Sequence, residues 1–209
     1  MSPFEQQSET ILGVVLAGGQ SRRMGTDKAL LELDGVSLVE RAGRRLAAIC
    51  SQVVLADGGR GAIDGLQSVA DGPGQGPVAG ILGAAAAFPD AALLILACDL
   101  PRVPISLLGE LASPTPHDWT VPRWQRRLEP LCALYRSAAL AALRRQVGNG
   151  VLAPHRLVEL GSPGDGGLEI DFLEEDKLRR HGDPAVIFTN LNHPQDFDRL
   201  KGSRSDDRS

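Results

Sequence analysis

The chain is short of aromatic residues, with five Phe, two Trp and one Tyr in 209 residues. Any core built from it must be aliphatic and rich in alanine. Cysteine is equally sparse. Cys50, Cys98 and Cys132 are odd in number, far apart and set within apolar runs, and no C-x-x-C pair occurs. That excludes a disulfide framework and reads as reduced core thiols of a cytosolic protein. No apolar run is long enough to span a bilayer, the most apolar being Ala91–Cys98. The opening "MSPFEQQSET" lacks the apolar segment of a secretory signal. Excess positive charge is missing too. The formal net charge is −4, which excludes a protein that coats nucleic acid while leaving local cations able to recruit a small anion. Hydrophobic residues at 43% and charged residues at 23% then place the chain among ordinary globular proteins, expected in the cytoplasm and not at a membrane.

What is present is an alternation. "ILGVVLA", "QVVLA", "LQSVA" and "AALLILACD" read as short buried strands. Between them, "LVERAGRRLAAIC" repeats apolar residues at helical spacing behind a capping box, Ser37 to Glu40. "GPVAGILGAAAAF" starts a helix with Pro77 in its first turn, and Gly80 within it suggests close packing. "LLEL" and Asp34-Gly35 read as an extended piece and a turn, and "PISLLGELA" as a helix. Strand–helix alternation predicts βαβ units. The expected fold is therefore α/β, a Rossmann-like three-layer sandwich of mainly parallel sheet with helices on both faces. Ligands of such sheets bind beyond the carboxyl ends of the strands.

Further along, "WTVP" and "EPLCALY" are strand candidates around a charged loop. "SAALAALRRQV" is a helix with Ser137 as its cap, and "NGVLAPHRLVEL" contains another. "PAVIFTNLN" reads as a late strand and "PQDFDRL" as a final helix. The expected organisation is a disordered leader over 1–10, one domain over 11–201 and a disordered tail over 202–209. Within the domain, about 118–160 breaks the alternation, as an insertion shaping the acceptor side of a site.

The segment "VVLAGGQSRRMGTDKALLEL" carries the chemistry. A strand ending in Gly18-Gly19 lets backbone approach a ligand without an intervening Cβ. N–H groups in such a loop can form an anion nest, and Arg22, Arg23 and Lys28 add cations suited to phosphate oxygens. The ligand this implies is a nucleoside triphosphate. The G-x-x-x-x-G-K-[ST] and G-x-G-x-x-G patterns are both absent, so the loop holds phosphate by another scheme. That second absence also disfavours a dinucleotide-dependent oxidoreductase. Asp99 stands where "LLILAC" ends, placed to hold Mg²⁺ through oxygen and water. Asp71 opens "DGPGQGPVAG" at another strand end. The four histidines, His117, His155, His181 and His193, show no metal-ligand spacing.

With these residues in view, the chain resembles the molybdenum cofactor guanylyltransferase family of the nucleotidyltransferase superfamily. The resemblance rests on "LAGGQSRRMGTDKALL", "DGPGQGPVAGIL", "ILACDLPRVP", "EPLCALYRSAAL" and "TNLNHPQDF", in family order over about residues 11–198. It implies an enzyme that transfers GMP from GTP to molybdenum-bound molybdopterin with Mg²⁺ and releases pyrophosphate. Molybdoenzymes or molybdopterin-loading proteins would be its partners. By motif, Leu16, Ala17, Gly18 and Gly19 would line the nucleotide. Lys28 would bind its phosphates, and Arg22 and Arg23 would face them. Asp71 would touch nucleotide, and Asp99 nucleotide and metal. Asn190 and Asn192 would lie near the mouth of the site.

Arg123, Arg126 and Arg127 lie outside these motifs, and a phosphate-bearing pterin calls for a cationic pocket, so they are candidates for the acceptor side. Where relatives often carry an asparagine after the second strand, this chain has Ala56 and Asp57, and Asp57 is a candidate acceptor for guanine N1 and N2. The acidic stretch 162–176 matches no motif. Two alternatives stand beside the main reading: transfer to another acceptor or from another base, of the cytidylyl or sugar-1-phosphate kind, and a non-catalytic GTP-binding partner of molybdoenzymes.

Overall fold

The computed structural model describes residues 9–17, 31–61, 63, 65–160 and 167–191. In chain order its first half runs β1 (Ile11–Leu16), β2 (Glu32–Leu33), β3 (Val36–Ser37), α1 (Leu38–Ala47), β4 (Gln52–Ala56), β5 (Gln67–Val69), α2 (Pro77–Ala87), β6 (Ala92–Ala97) and α3 (Ile105–Leu111). The second half adds β7 (Trp119–Trp124), β8 (Arg127–Leu128), β9 (Cys132–Tyr135), α4 (Ser137–Gly148), a 3₁₀ turn (Pro154–Leu160), β10 (Ile170–Leu173), α5 (Glu175–Leu178) and α6 (Pro184–Ile187).

The sheet order is β10-β7-β9-β6-β1-β4-β5, with β8 paired to β7. β1 lies parallel between β4 and β6, and β5 is parallel to β4. β9 is antiparallel to both β6 and β7, so β7 runs in the direction of β6, and β10 follows it in parallel. The segment expected as an insertion is thus built into the central sheet. The mainly parallel α/β expectation agrees with this arrangement. β6 is buried along its whole length, which is why it reads as an unbroken apolar run.

Two glycines show how the faces are covered. A Cβ on Gly13 would meet Leu46 of α1 at 3.1 Å, whereas a Cβ on Gly80 of α2 would meet Leu16 and Ala56 at 3.2 Å. Gly13 and Leu16 are an odd number of residues apart on β1, so α1 and α2 cover opposite faces. α3 packs beside α1, and α4 beside α2. The close packing expected at Gly80 is found. A tighter contact lies at the other end of the same surface: a Cβ on Gly83 would stand 2.0 Å from the Ala70 carbonyl oxygen, and one on Gly72 only 2.6 Å from the backbone of α2. The Gly72 N–H donates to the Ala79 carbonyl at 2.8 Å. The loop after β5 therefore lies backbone-to-backbone on α2.

The capping expectation at Ser37 holds, its Oγ accepting from the Glu40 N–H at 3.2 Å. Other expectations are corrected. Arg136, not Ser137, caps α4, with no side-chain cap bond. Its guanidinium instead ties Glu9 to the His117 carbonyl. The expected helix after residue 149 is a 3₁₀ turn. The expected late strand is the short helix α6: Val186, Ile187 and Thr189 mimic a strand, but Asp183 caps the Ala185 N–H at 3.0 Å and Pro184 opens the turn. The acidic stretch contributes edge strand β10 and α5. The leader over 1–8, the final helix candidate and the tail lie outside the described residues.

The three cysteines are free and buried, and burial pushes the Cys50 thiol up to about 11 and raises that of Cys132. The helix glycines can be tested by contrast. Gly83→Ala is expected to lose about 1–3 kcal/mol or more through forced backbone displacement. Gly148→Ala, where a Cβ meets nothing within 4 Å, should change stability by less than about 1 kcal/mol. Chemical unfolding of the two variants checks this, and equal effects would contradict the packing described.

Candidate active site

The chain leaves β1 toward β4 and β5 on one side, then α2 carries it back to β6 on the other side of β1. The switch in direction opens a crevice at the carboxyl ends of β1 and β6. Backbone bonds close the strands evenly there. The Ala17 N–H donates to Ala56 O at 3.0 Å, and the Cys98 N–H to Leu16 O at 3.1 Å. Leu16, Ala17, Ala56, Asp57 and Asp99 are thereby brought to one edge. Asp71 follows β5 on the same edge and is exposed. Its carboxylate lies against Gly58, where a Cβ would come within 3.2 Å of Oδ2. Gly18, Gly19, Arg22, Arg23, Lys28 and Asn192 lie outside the described residues.

Asp99 is partly exposed at the mouth of the crevice. The chain end returns to it: the Leu191 N–H donates to the Asp99 carbonyl at 3.1 Å. The Asn190 amide nitrogen, in the orientation its partners require, donates to the two carboxylate oxygens at 3.0 and 3.1 Å and to the Asp99 carbonyl at 3.2 Å. Asn190 therefore touches the carboxylate expected to bind metal.

Asp57 is only 2% exposed. Its Oδ1 accepts from the Gly59 N–H at 3.1 Å, the Arg60 N–H at 3.2 Å and the Ser68 hydroxyl. That oxygen braces the loop after β4 and is not offered to a base, which corrects the guanine contact considered for it. Arg60, which sequence reasoning passed over, donates from Nε to Asp57 O at 2.6 Å and from Nη2 to Ala17 O at 3.0 Å. It ties the loop after β4 to the residue where the glycine-rich segment begins. Its local signal is an arginine four residues beyond the end of β4, within the stretch "DGGRGAIDG".

The acceptor-side arginines separate. Because β7 runs in the direction of β6, the β7–β8 hairpin also stands at the carboxyl edge. Gln125 and Arg126 form its two-residue turn with φ of 45° and 62°, and Arg126 and Arg127 are exposed. Arg123 is ion-paired with Glu174 and lies over the Phe172 ring at 3.9 Å. It works as a brace between β7 and the segment after β10. Trp124 stacks on Phe188 at 6.3 Å and donates from its indole N–H to Glu129 at 3.2 Å. Burial raises the Glu129 pKa, and Asp99 adds to the rise through charge while Trp124 and Arg127 oppose it. Glu129 is a second carboxylate near the crevice that sequence reasoning did not single out.

His117 bonds Thr115, and His181 bridges Ser106 at 2.9 Å and Glu110 at 2.5 Å, which are structural roles; His155 is exposed. Among the described residues no three His, Cys, Asp or Glu side chains group to hold a metal, and no helix is long and apolar enough to cross a membrane.

A family model described as the MobA-like NTP transferase domain matches residues 13–159. The chain belongs to this family. A protein of Pelotomaculum thermopropionicum named probable molybdenum cofactor guanylyltransferase is 31% identical over 88% of this chain and 89% of its own length. Among solved structures, molybdopterin-guanine dinucleotide biosynthesis protein A from Archaeoglobus fulgidus matches with a TM-score of 0.76 and 25% identity, over 92% of this chain and 97% of that one. The manganese complex of Mycobacterium tuberculosis Rv0371C shares the fold, with a TM-score of 0.59 and 20% identity over 83% of this chain and 98% of that one.

In this MobA-like chain the Arg60 bridge joins two loops through carbonyl oxygens that only a forked donor reaches together. Arg60→Ala is expected to lower stability by about 1.5–3 kcal/mol, and Arg60→Lys to restore less than half of that loss. Unfolding in denaturant measures both. Full recovery with lysine would mean that the charge alone matters.

Proposed function

We propose that the protein transfers GMP from GTP to molybdenum-bound molybdopterin, yielding the guanine dinucleotide cofactor and pyrophosphate, and does so in the cytoplasm. The observation that carries this reading is the placement of Asp99 beside the residue from which the glycine-rich, cationic segment departs, at the switch point of the sheet. The names of the P. thermopropionicum and A. fulgidus relatives supply the guanine and the pterin.

The reaction asks for positioning and charge neutralisation more than for covalent help. A terminal phosphate oxygen of the pterin attacks the α-phosphorus of GTP in line. The bond from that phosphorus to the bridging oxygen of the β-phosphate breaks, and pyrophosphate leaves. The attacking phosphate is already an anion at neutral pH, so no strong base is needed. Leu16, Ala17, Gly18 and Gly19 line the nucleotide, and Asp71 contacts it along the edge. Arg22, Arg23 and Lys28 bind the phosphates that depart.

Asp99 suits Mg²⁺. A partly exposed carboxylate, without a surrounding cage among the described residues, fits a cation that keeps its waters and binds through one or two carboxylates plus substrate phosphates. When bound, the metal supplies charge neutralisation at the α-phosphate. On the acceptor side, Arg126 and Arg127 at the hairpin tip face the incoming pterin phosphate, with Asn190 and Asn192 near the mouth. The product passes to molybdoenzymes or to proteins that load them.

Pyrophosphate release with GTP, CTP or UTP and molybdopterin-loaded carrier tests the reading. GTP should be preferred, and Lys28→Ala and Asp99→Asn should each lower turnover by about tenfold or more. Preference for CTP, or GTP binding without pyrophosphate release, would overturn it. For the acceptor side, Arg126→Ala with Arg127→Ala should leave GTP affinity within about twofold and weaken pterin capture by about 0.2–1 kcal/mol per arginine. Equal weakening of both ligands would point to one shared phosphate funnel instead.

A further inference from the structure

Ala17 is the first residue beyond β1, and both of its backbone groups are taken from the β4 side. Its N–H donates to Ala56 O at 3.0 Å, and its carbonyl accepts at 3.0 Å from Nη2 of Arg60, 43 positions along the chain. The preceding peptide unit shows what this means. Leu16 O accepts from the Cys98 N–H on the β6 side while the Ala17 N–H points to β4, as the opposed groups of a planar trans peptide must. The β1–β4 ladder ends with the pair Leu16 and Ala56, and beyond it the Ala17 carbonyl is met by Arg60. That carbonyl is thereby turned to the β4 side. The N–H of the same peptide unit then points to the β6 side, where Asp99 follows the strand. Arg60 is itself fixed from β5. Asp57 Oδ1 gathers the Gly59 and Arg60 N–H groups at 3.1 and 3.2 Å together with the Ser68 hydroxyl, and the Gly59 N–H donates to Val69 O at 3.0 Å. The bond from Nε to Asp57 O at 2.6 Å sets the plane of the guanidinium.

We propose that Arg60 is a positioning residue for nucleotide binding: by holding the Ala17 carbonyl, it aims the first amide of the glycine-rich segment at the β1–β6 switch point, ready for a phosphate oxygen. Arg60 thus carries the alternation of the strand one peptide unit past the end of the ladder. It acts through Ala17 and touches no substrate in this role. A planar fork can hold the Ala17 and Asp57 carbonyls together, whereas the point charge of a lysine cannot fix both in one plane. Because the effect is confined to the direction of a backbone amide, it bears on the grip of phosphate and not on the grip of the base. The inference rests on the reading of the glycine-rich segment as the phosphate-binding part of the site, and adds the residue that sets its direction.

Calorimetric titration with pyrophosphate and with guanosine, at fixed Mg²⁺ and well below the unfolding temperature, tests this without turnover. Pyrophosphate probes the grip of phosphate alone, and guanosine the grip of the base alone. In Arg60→Ala, pyrophosphate affinity should fall by about threefold or more while guanosine affinity stays within about twofold. Arg60→Lys should recover only part of the loss, and carries the same comparison if the alanine variant does not fold. Equal weakening of both probes would make Arg60 a structural brace of its loop and overturn the inference. Lys28→Ala separates the two levels. If it weakens pyrophosphate binding and the Arg60 variants do not, the inference alone fails. If neither the Lys28 nor the Arg60 variants weaken it, the phosphate reading of the glycine-rich segment fails, and the inference with it.

Discussion

The site depends on β1 being hydrogen-bonded in register on both sides. Leu16 pairs with Ala56 of β4 and with Ala97 of β6, so three strands end at one level. A loop leaving any of them emerges at the same edge. Since the chain passes from β1 outward to β4 and returns across the sheet to β6, the carboxyl ends of β1 and β6 flank the switch point of the sheet. A slip of one residue in either pairing would turn the side chains of a strand to the opposite face.

Holding helices flush on the sheet requires small residues in specific places. Gly13 admits α1, Gly80 admits α2, and the Gly72–Gly83 contact seats the loop that carries Asp71. These contacts are packing features with functional reach: Asp71 and the loop after β4 face each other because α2 has been brought in close. Asp57 and Arg60 complete the same frame from the polar side. One uses a carboxylate oxygen to gather backbone and hydroxyl donors, and the other spans two carbonyls.

Much of this was legible in the sequence because burial on two faces leaves a plain mark. "LLILAC" and "GVVLA" are unbroken apolar runs ended by punctuation, and Asp99 was readable as a strand-end carboxylate. Signals failed where local and tertiary preferences conflict. Val186, Ile187 and Thr189 look like strand residues, but a four-residue helix needs only Asp183 and Pro184 to start it. Arg123 looked like its neighbours in "RWQRR", yet its partners Glu174 and Phe172 lie 51 and 49 positions away and cannot be found by spacing. The same holds for Asn190 and Asp99. Arg60 and Glu129 stand in unremarkable local sequence, and only the fold brings one to Ala17 and the other near Asp99.

The most direct test of the account is a crystal structure of the protein with Mg²⁺ and a GTP analogue that resists cleavage between the α- and β-phosphates. The account predicts the phosphates at the carboxyl ends of β1 and β6, with the metal in contact with Asp99. A nucleotide seated elsewhere on the sheet edge, or a metal that makes no contact with Asp99, would contradict it.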